Sequence, residues 1–264
     1  CGNSQDVPML DYRKKFDGKT MNKYYPGASF MMLPFFLTAH FITLFFTHEL
    51  PNGYSFWYFR LVPLAAFFYY FIGMLFFLKL MGKLQLNNNQ KAIVILLLTF
   101  GSNIIYYLID APLYSHIYSF ALIAAFLYLA FCIKELPTVK NICSISFITG
   151  LIFITRPVNL SIMLMLPFIL GSNLKATVLS IVRQPKLIAS LLPVLLMPAL
   201  LFSIYKSALG HYFVYSYDQE GFDFLHPHFW QFLIHYDNGL FSYMPLLAMP
   251  FLFIFAWYRS ADKP

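Results

Sequence analysis

The chain has 264 residues, of which 59% are apolar, 20% aromatic and only 11% charged. Soluble domains carry about 25% charged residues, so too few charges are present to cover a water-facing surface, and lipid must be the solvent for most of the chain. The net charge of +7 does not mark a nucleic-acid binder, because the basic residues stand singly in short gaps between apolar runs instead of clustering with aromatics on one face.

A polar, charged head occupies residues 1–27. Apolar runs follow at about 28–47, 57–78, 92–109, 113–133, 142–155, 157–170, 187–205 and 240–258, to be compared with the roughly 20 residues that a helical span needs. Each should be helical, since an open sheet edge cannot be satisfied in hydrocarbon. Lys79, Lys83 and Lys91 flank one gap, and Lys134 and Lys140 the next. Lys175, Arg183 and Lys186 lie in a third, and Arg259 and Lys263 follow the last run. The positive-inside rule makes these four sites cytoplasmic. The intervening gaps, with Glu49, Asp110 and His116, then Arg156, then the segment 207–239, are expected outside the cytoplasm.

Two segments depart from simple spans. Runs 142–155 and 157–170 are each about 14 residues, or about 21 Å of helix, shorter than a hydrocarbon core of about 30 Å. Charge alternation requires a short hairpin there, with Arg156-Pro157-Val158-Asn159 as a polar turn sunk in the membrane; an intramembrane arginine is a functional candidate. Run 28–47 contains Pro34, Thr38, His40 and Thr43. It could cross the bilayer or lie along its surface as an interfacial helix.

No soluble-enzyme motif is present: no GxGxxG, Walker lysine loop, GxSxG or HExxH. The candidates are polar residues at predicted outer helix ends: Lys23 and Tyr24, His116, Arg156 and Asn159, and Asp237 with Asn238. They fall on one side of the membrane provided run 28–47 does not cross. His40 reads as a packing residue held by a hydrogen bond. The histidines His211, His226, His228 and His235 are not expected to make a metal site, because His226-Pro227-His228 cannot place both rings on one helical face and no thiol or close acid pair completes a set. Cys132 and Cys143 lie in apolar segments without CxxC spacing.

Several landmarks occur in order along the chain. Asn22-Lys23-Tyr24-Tyr25-Pro26-Gly27 precedes Leu33-Pro34-Phe35-Phe36, Ala39-His40 and Gly53-Tyr54-Ser55. Ser115-His116, the stretch Gly150 to Asn159, and Asp237-Asn238-Gly239-Leu240-Phe241 ahead of Met244-Pro245-Leu246 come later. In this order they resemble the GT-C superfamily of membrane glycosyltransferases, Bacteroidetes type, related to protein mannosyltransferases, aminoarabinose transferases and lipopolysaccharide-core transferases. Tyr25 departs from the pattern, since relatives usually carry Pro directly after the Lys-Tyr pair.

The resemblance implies an all-α, polytopic transmembrane bundle of about seven spanning helices plus one N-terminal juxtamembrane helix. Residues 1–47 would belong to the first extracytoplasmic loop and that helix, and 48–264 to the transmembrane domain, with an extracytoplasmic loop at 207–239. The implied protein sits in a bacterial inner membrane, with its active face extracytoplasmic. It would transfer a sugar, with inversion, from a polyprenyl-phosphate donor to a glycan, lipid or protein acceptor. Its partners are that donor and the membrane lipids, and nucleic acid is not among them. The catalytic Asp of the class would lie upstream of Cys1, so the printed chain is expected to be an inactive carboxy-terminal fragment. Lys23, His116 and Arg156 would bind the donor phosphate, Tyr24 and Asn159 would orient donor or acceptor, and Asp237 and Asn238 would line the acceptor side. No cofactor is implied, and assistance by a divalent metal is left open. The rival readings are a transporter or lipid-carrier flippase, and a surface-polysaccharide polymerase or ligase.

Overall fold

Long apolar runs with few charges leave the backbone no partner but itself, and helix is the local solution. In a computed structural model, which describes residues 13–214, 228–236 and 239–249, the chain is an all-α helical bundle with a single two-stranded hairpin among the described residues. Five helical stretches among these residues are long and apolar enough to cross a membrane: Gly27–Phe46, Phe56–Lys83, Ser115–Glu135, Pro157–Arg183 and Pro185–Leu209. The chain is a multi-pass membrane protein.

It divides into two units, the first comprising residues 1–84 and 112–220 and the second 85–111 and 221–264. The first unit begins with β1 (Arg13–Phe16) and β2 (Lys19–Asn22), paired antiparallel with Phe16 opposite Lys19. Asp17 and Gly18 turn the chain with φ of 48° and 74°, the left-handed pair that a two-residue hairpin loop requires. Helix α1 (Gly27–Phe46) follows, then α2 (Phe56–Leu61) and α3 (Leu64–Lys83). After the second unit's first segment come α6 (Ser115–Glu135) and α7 (Val139–Thr155). A 3₁₀ stretch (Pro157–Met165), α8 (Leu166–Leu170), a short 3₁₀ turn, α9 (Leu174–Arg183), α10 (Pro185–Ala189) and α11 (Pro193–Leu209) complete this unit.

Ring and glycine contacts give the helix directions. Tyr69 meets Tyr118 at 5.5 Å and Lys83 bonds Glu135, so α3 and α6 run parallel. They pack closely because small residues face each other: Gly73 lies against Phe120 and Ala121, and Ala65, Ala66, Ala124, Ala125 and Ala130 are buried. In lipid, backbone proximity of this kind replaces the hydrophobic drive of water. Helix α7 returns antiparallel to α6, from the end with Lys134 and Glu135 to the end with His116.

The reversal expected at Arg156-Pro157 is present. Arg156 bonds His116 at the start of α6, while Asn173 Nδ2 donates to the Lys134 carbonyl at its end, 3.4 Å away. Residues 157–173 therefore run back beside α6 after α7 has climbed it. The helix breaks here for a local reason: a residue before proline is pushed out of the α region, and Arg156 is extended (φ −154°, ψ 100°) ahead of Pro157. The basic gap after residue 170 is itself helical. In α9, Lys175 and Arg183 flank exposed Val178, Leu179 and Val182, the pattern of an interfacial helix.

Helix α1 pairs with α2 and the start of α3. Thr43 Oγ1 lies 3.3 Å from Ser55 Oγ, His40 Nδ1 2.6 Å from Tyr58 Oη, and Phe35 5.5 Å from Phe68. The pairing is antiparallel, so α1 starts level with the last turn of α7 and runs away from Lys83. His40 is the hydrogen-bonded packing residue the sequence suggests.

In the second unit, α4 (Asn88–Phe100) is followed by α5 (Ile104–Ile109), and later by α12 (Phe229–Ile234), α13 (Leu240–Tyr243) and a 3₁₀ turn (Pro245–Ala248). Asn87 and Gln90 form a reciprocal capping box at the start of α4. The expected span 92–109 is two helices, broken at Gly101-Ser102-Asn103, residues that favour turns and caps over helix interiors. Ser102 Oγ instead donates to the Leu98 carbonyl. Of the expected run 240–258, residues 250–258 lie outside the described residues.

Candidate functional site

Three segments far apart in sequence meet where α7 ends. Arg156 Nη1 lies 3.1 Å from His116 Nδ1. A guanidinium can only donate, so Nδ1 is the acceptor and the histidine proton resides on Nε2. Arg156 is thereby oriented by a neutral acceptor and its charge is not cancelled by a carboxylate in that bond. Two donor-rich groups, the guanidinium fork and the imidazole Nε2–H, stand side by side at the start of α6.

The second approach comes from β2. Asn22 Oδ1 accepts from the Tyr24 N–H at 2.9 Å, which turns the chain out of the strand and into the Pro26-Gly27 start of α1. Gly27 then lies directly on the end of α7. A Cβ at this position would sit 2.5 Å from the Thr155 nitrogen and closer still to its hydroxyl oxygen, so only glycine lets the two helices touch. This contact brings Lys23 and Tyr24 to the Arg156 end. Lys23 is buried, with 6% of its surface exposed, and its ammonium stands 5.5 Å from the Tyr24 ring. Tyr24 in turn meets the Tyr114 ring edge-on at 6.4 Å, two residues before His116. Lys23, Tyr24, Tyr114, His116, Thr155 and Arg156 thus form one cluster. It holds two permanent cations and hydroxyl and imidazole donors, and none of the six carries a carboxylate.

An apolar cleft of about 490 Å³ opens beside this cluster. It is lined by Phe30, Met31 and Pro34 of α1, Tyr69, Ile72 and Phe76 of α3, Ala121, Leu122 and Ala125 of α6, and Phe147, Ile148 and Leu151 of α7. Leu151 is one turn before Thr155, Met31 one turn after Gly27, and Ala121 about one turn after His116. The cleft therefore lies within about one helical turn of the polar cluster and extends along α6 and α7 toward their middle. An amphiphile with an anionic head and an apolar tail matches both parts.

The hairpin is fixed on the far side by α11. Lys19 Nζ donates to the Ala208 carbonyl at 3.0 Å, at the negative end of that helix, and His211 packs edge-on against Phe16 at 5.5 Å. Gly150 lies against Val194 and Met197, and Phe153 meets Phe202 at 6.5 Å, so α11 runs parallel to α7 and continues past its end.

Lys23, Tyr24, His116 and Arg156, proposed from sequence, are thus brought together. Asn159 follows one turn later, its N–H donating to the Arg156 carbonyl at 2.9 Å. Asp237 and Asn238 lie outside the described residues. Tyr114, Gly27 and Thr155 join the site as well: Gly27 closes the Asn22–Gly27 landmark and Thr155 lies within the Gly150–Asn159 stretch, but neither carries a charge that would single it out in the sequence. Comparison with family models, with curated proteins and with solved structures gives no match to this chain.

Proposed function

We propose that this protein is a membrane glycosyltransferase of the GT-C type and that the Lys23–His116–Arg156 cluster binds the phosphate of a polyprenyl-phosphate sugar. One observation carries the reading: the cations Lys23 and Arg156, from β2–α1 and the α7 hairpin, and the neutral His116 imidazole of α6 come together at one end of the bundle beside an apolar cleft. Sugar transfer from such a donor leaves a lipid phosphate, and pre-placed cations and N–H donors stabilise the charge that develops on it. Arg156 supplies the planar fork suited to phosphate oxygens, Lys23 a point charge, and His116 orients the arginine. Tyr24 and Tyr114 border the position of the sugar, and the first isoprenes lie against Met31, Leu122 and Leu151. The cluster is a clamp for the leaving group; deprotonation of the acceptor hydroxyl belongs to a carboxylate that these six residues do not include.

Membrane orientation follows from the same reading. Lys79, Lys83, Lys134 and Lys140 gather at the opposite end and are assigned to the cytoplasmic side of a bacterial inner membrane. The cluster then faces the extracytoplasmic leaflet, and α1 lies at that surface. The test is genetic and chemical together. Cells lacking the gene are expected to accumulate a polyprenyl-phosphate sugar and to lose that sugar from a surface glycan, lipid or protein. The wild-type gene should restore it. Lys23→Ala at equal membrane abundance should restore it at about one tenth of the rate or less, the effect of losing one charged contact. Equal restoration by Lys23→Ala, or no accumulating lipid-linked sugar, contradicts the proposal.

A further inference from the structure

The opposite end of the first unit carries a second cavity, of about 430 Å³, between α3, α6 and α7. Its polar rim is formed by Lys79, Tyr128, Cys132, Lys140, Asn141 and Ser144. Its floor is Phe76, Ala125, Phe147 and Ile148, and these four residues also line the apolar cleft described above. The two spaces therefore adjoin, and the polar rim opens onto an apolar interior.

Charge at this rim is positive. The Lys79 ammonium stands 5.7 Å from the Phe76 ring and 5.8 Å from the Tyr128 ring, which hold it over the cavity's aromatic wall. Lys140 comes from the first turn of α7. The nearby carboxylate of Glu135 is engaged by Lys83, and Lys134 lies over the Phe131 ring at 5.9 Å. Two lysines thus face one cavity whose remaining polar groups, Asn141, Ser144 and Tyr128, are neutral donors and acceptors. Basic pockets between membrane helices at one bilayer surface suit anionic lipid head groups.

We infer that this rim is a binding site for an anionic phospholipid of the leaflet at the Lys134 end, with the phosphate between Lys79 and Lys140 and an acyl chain on the Phe76–Ile148 floor. The apolar floor is what selects a lipid over a free phosphate ion, which would leave that surface unused. The inference rests on the multi-pass fold and not on the glycosyltransferase reading, because the site lies at the opposite end from Arg156.

The wild-type protein contains its own reporter, since Cys132 lines the rim and Cys143 does not. The purified chain in neutral detergent is mixed with phosphatidylglycerol, phosphatidylcholine or inorganic phosphate, and maleimide labelling of each cysteine is followed by peptide mass spectrometry. Phosphatidylglycerol should slow labelling of Cys132 about tenfold relative to phosphatidylcholine, and leave Cys143 unchanged. Inorganic phosphate should have no effect. The same protection should vanish in Lys79→Gln/Lys140→Gln and persist in Lys186→Gln and Arg156→Ala. Equal protection by both lipids, protection by inorganic phosphate alone, or full protection in the double variant overturns the proposal. The wild-type comparison decides between the lipids even if the double variant fails to fold.

Discussion

Arg156→Ala is expected to weaken binding of polyprenyl phosphate by about 10- to 100-fold, since a charged hydrogen bond contributes about 1.5–3 kcal/mol. The substitution removes the guanidinium beside His116 and leaves Lys23 as the permanent cation of the cluster. Arg156→Lys restores the charge without the fork, so it should recover only part of the loss. Both variants should retain the fold, because Arg156 is a half-buried residue at a helix end and Pro157, not the arginine side chain, terminates α7. Titration of the detergent-solubilised chain with polyprenyl phosphate and with uncharged polyprenol, alongside thermal unfolding, separates the possibilities. Lost discrimination between phosphate and alcohol at unchanged unfolding temperature assigns Arg156 to the phosphate. Lost stability with discrimination intact assigns it to packing.

Gly27→Ala should have the larger structural effect for a single methyl group. The atoms it meets are the Thr155 backbone nitrogen and hydroxyl and the Ile154 carbonyl carbon, and backbone atoms cannot rotate aside as a side-chain tip can. Helix α1 must shift away from α7, a strain of about 1–3 kcal/mol by the usual cost of overpacking. Because Lys23 and Tyr24 enter the site on the turn that Gly27 anchors, the shift also moves a cation and a ring. Lower unfolding temperature and weaker phosphate-lipid binding are therefore expected together. Gly82→Ala is the matched control: it lies within α3 with open space around the new methyl, and alanine should be neutral or stabilise by about 0.5–1 kcal/mol. If Gly27→Ala behaves like Gly82→Ala, the α1–α7 contact does not build the site.

What the sequence makes legible here is what local pattern controls. Apolar run length and lysine spacing are enough to mark α3, α6 and α7 and to place Lys83 and Lys134 at one end. Two half-length runs split by Arg156-Pro157 are enough for the reversal of the chain there, because proline acts on its immediate neighbour. The Asp17-Gly18 pair is an equally local turn signal, and it marks a hairpin inside a head that otherwise reads only as charged. Where apolar content is continuous the pattern is weaker. Gly101-Ser102-Asn103 divides an apolar stretch that passes for one span, and α9 emerges from a gap defined by its charges.

The site is less legible than the fold, for a physical reason. His116, Arg156, Lys23 and Tyr24 stand out because polar groups at the ends of apolar helices are costly unless used. Their assembly depends on contacts between residues more than a hundred positions apart, as between Gly27 and Thr155, and on the coincidence of Tyr24 with Tyr114. No periodicity encodes these. The seating of the hairpin through Lys19 on Ala208 and Phe16 on His211 is likewise a contact between distant residues.

The central claim, a lipid phosphate held by the cluster with its tail in the cleft, is tested most directly by photo-crosslinking. A polyprenyl phosphate with a photoreactive group in its first isoprene units is irradiated with the chain in nanodiscs, and the labelled peptides are mapped. Labels confined to 27–37, 116–125 and 147–156, competed by unlabelled polyprenyl phosphate but not by polyprenol, are the expected result. Labels spread over the outer faces of α9 and α11, or competed equally by polyprenol, would contradict it.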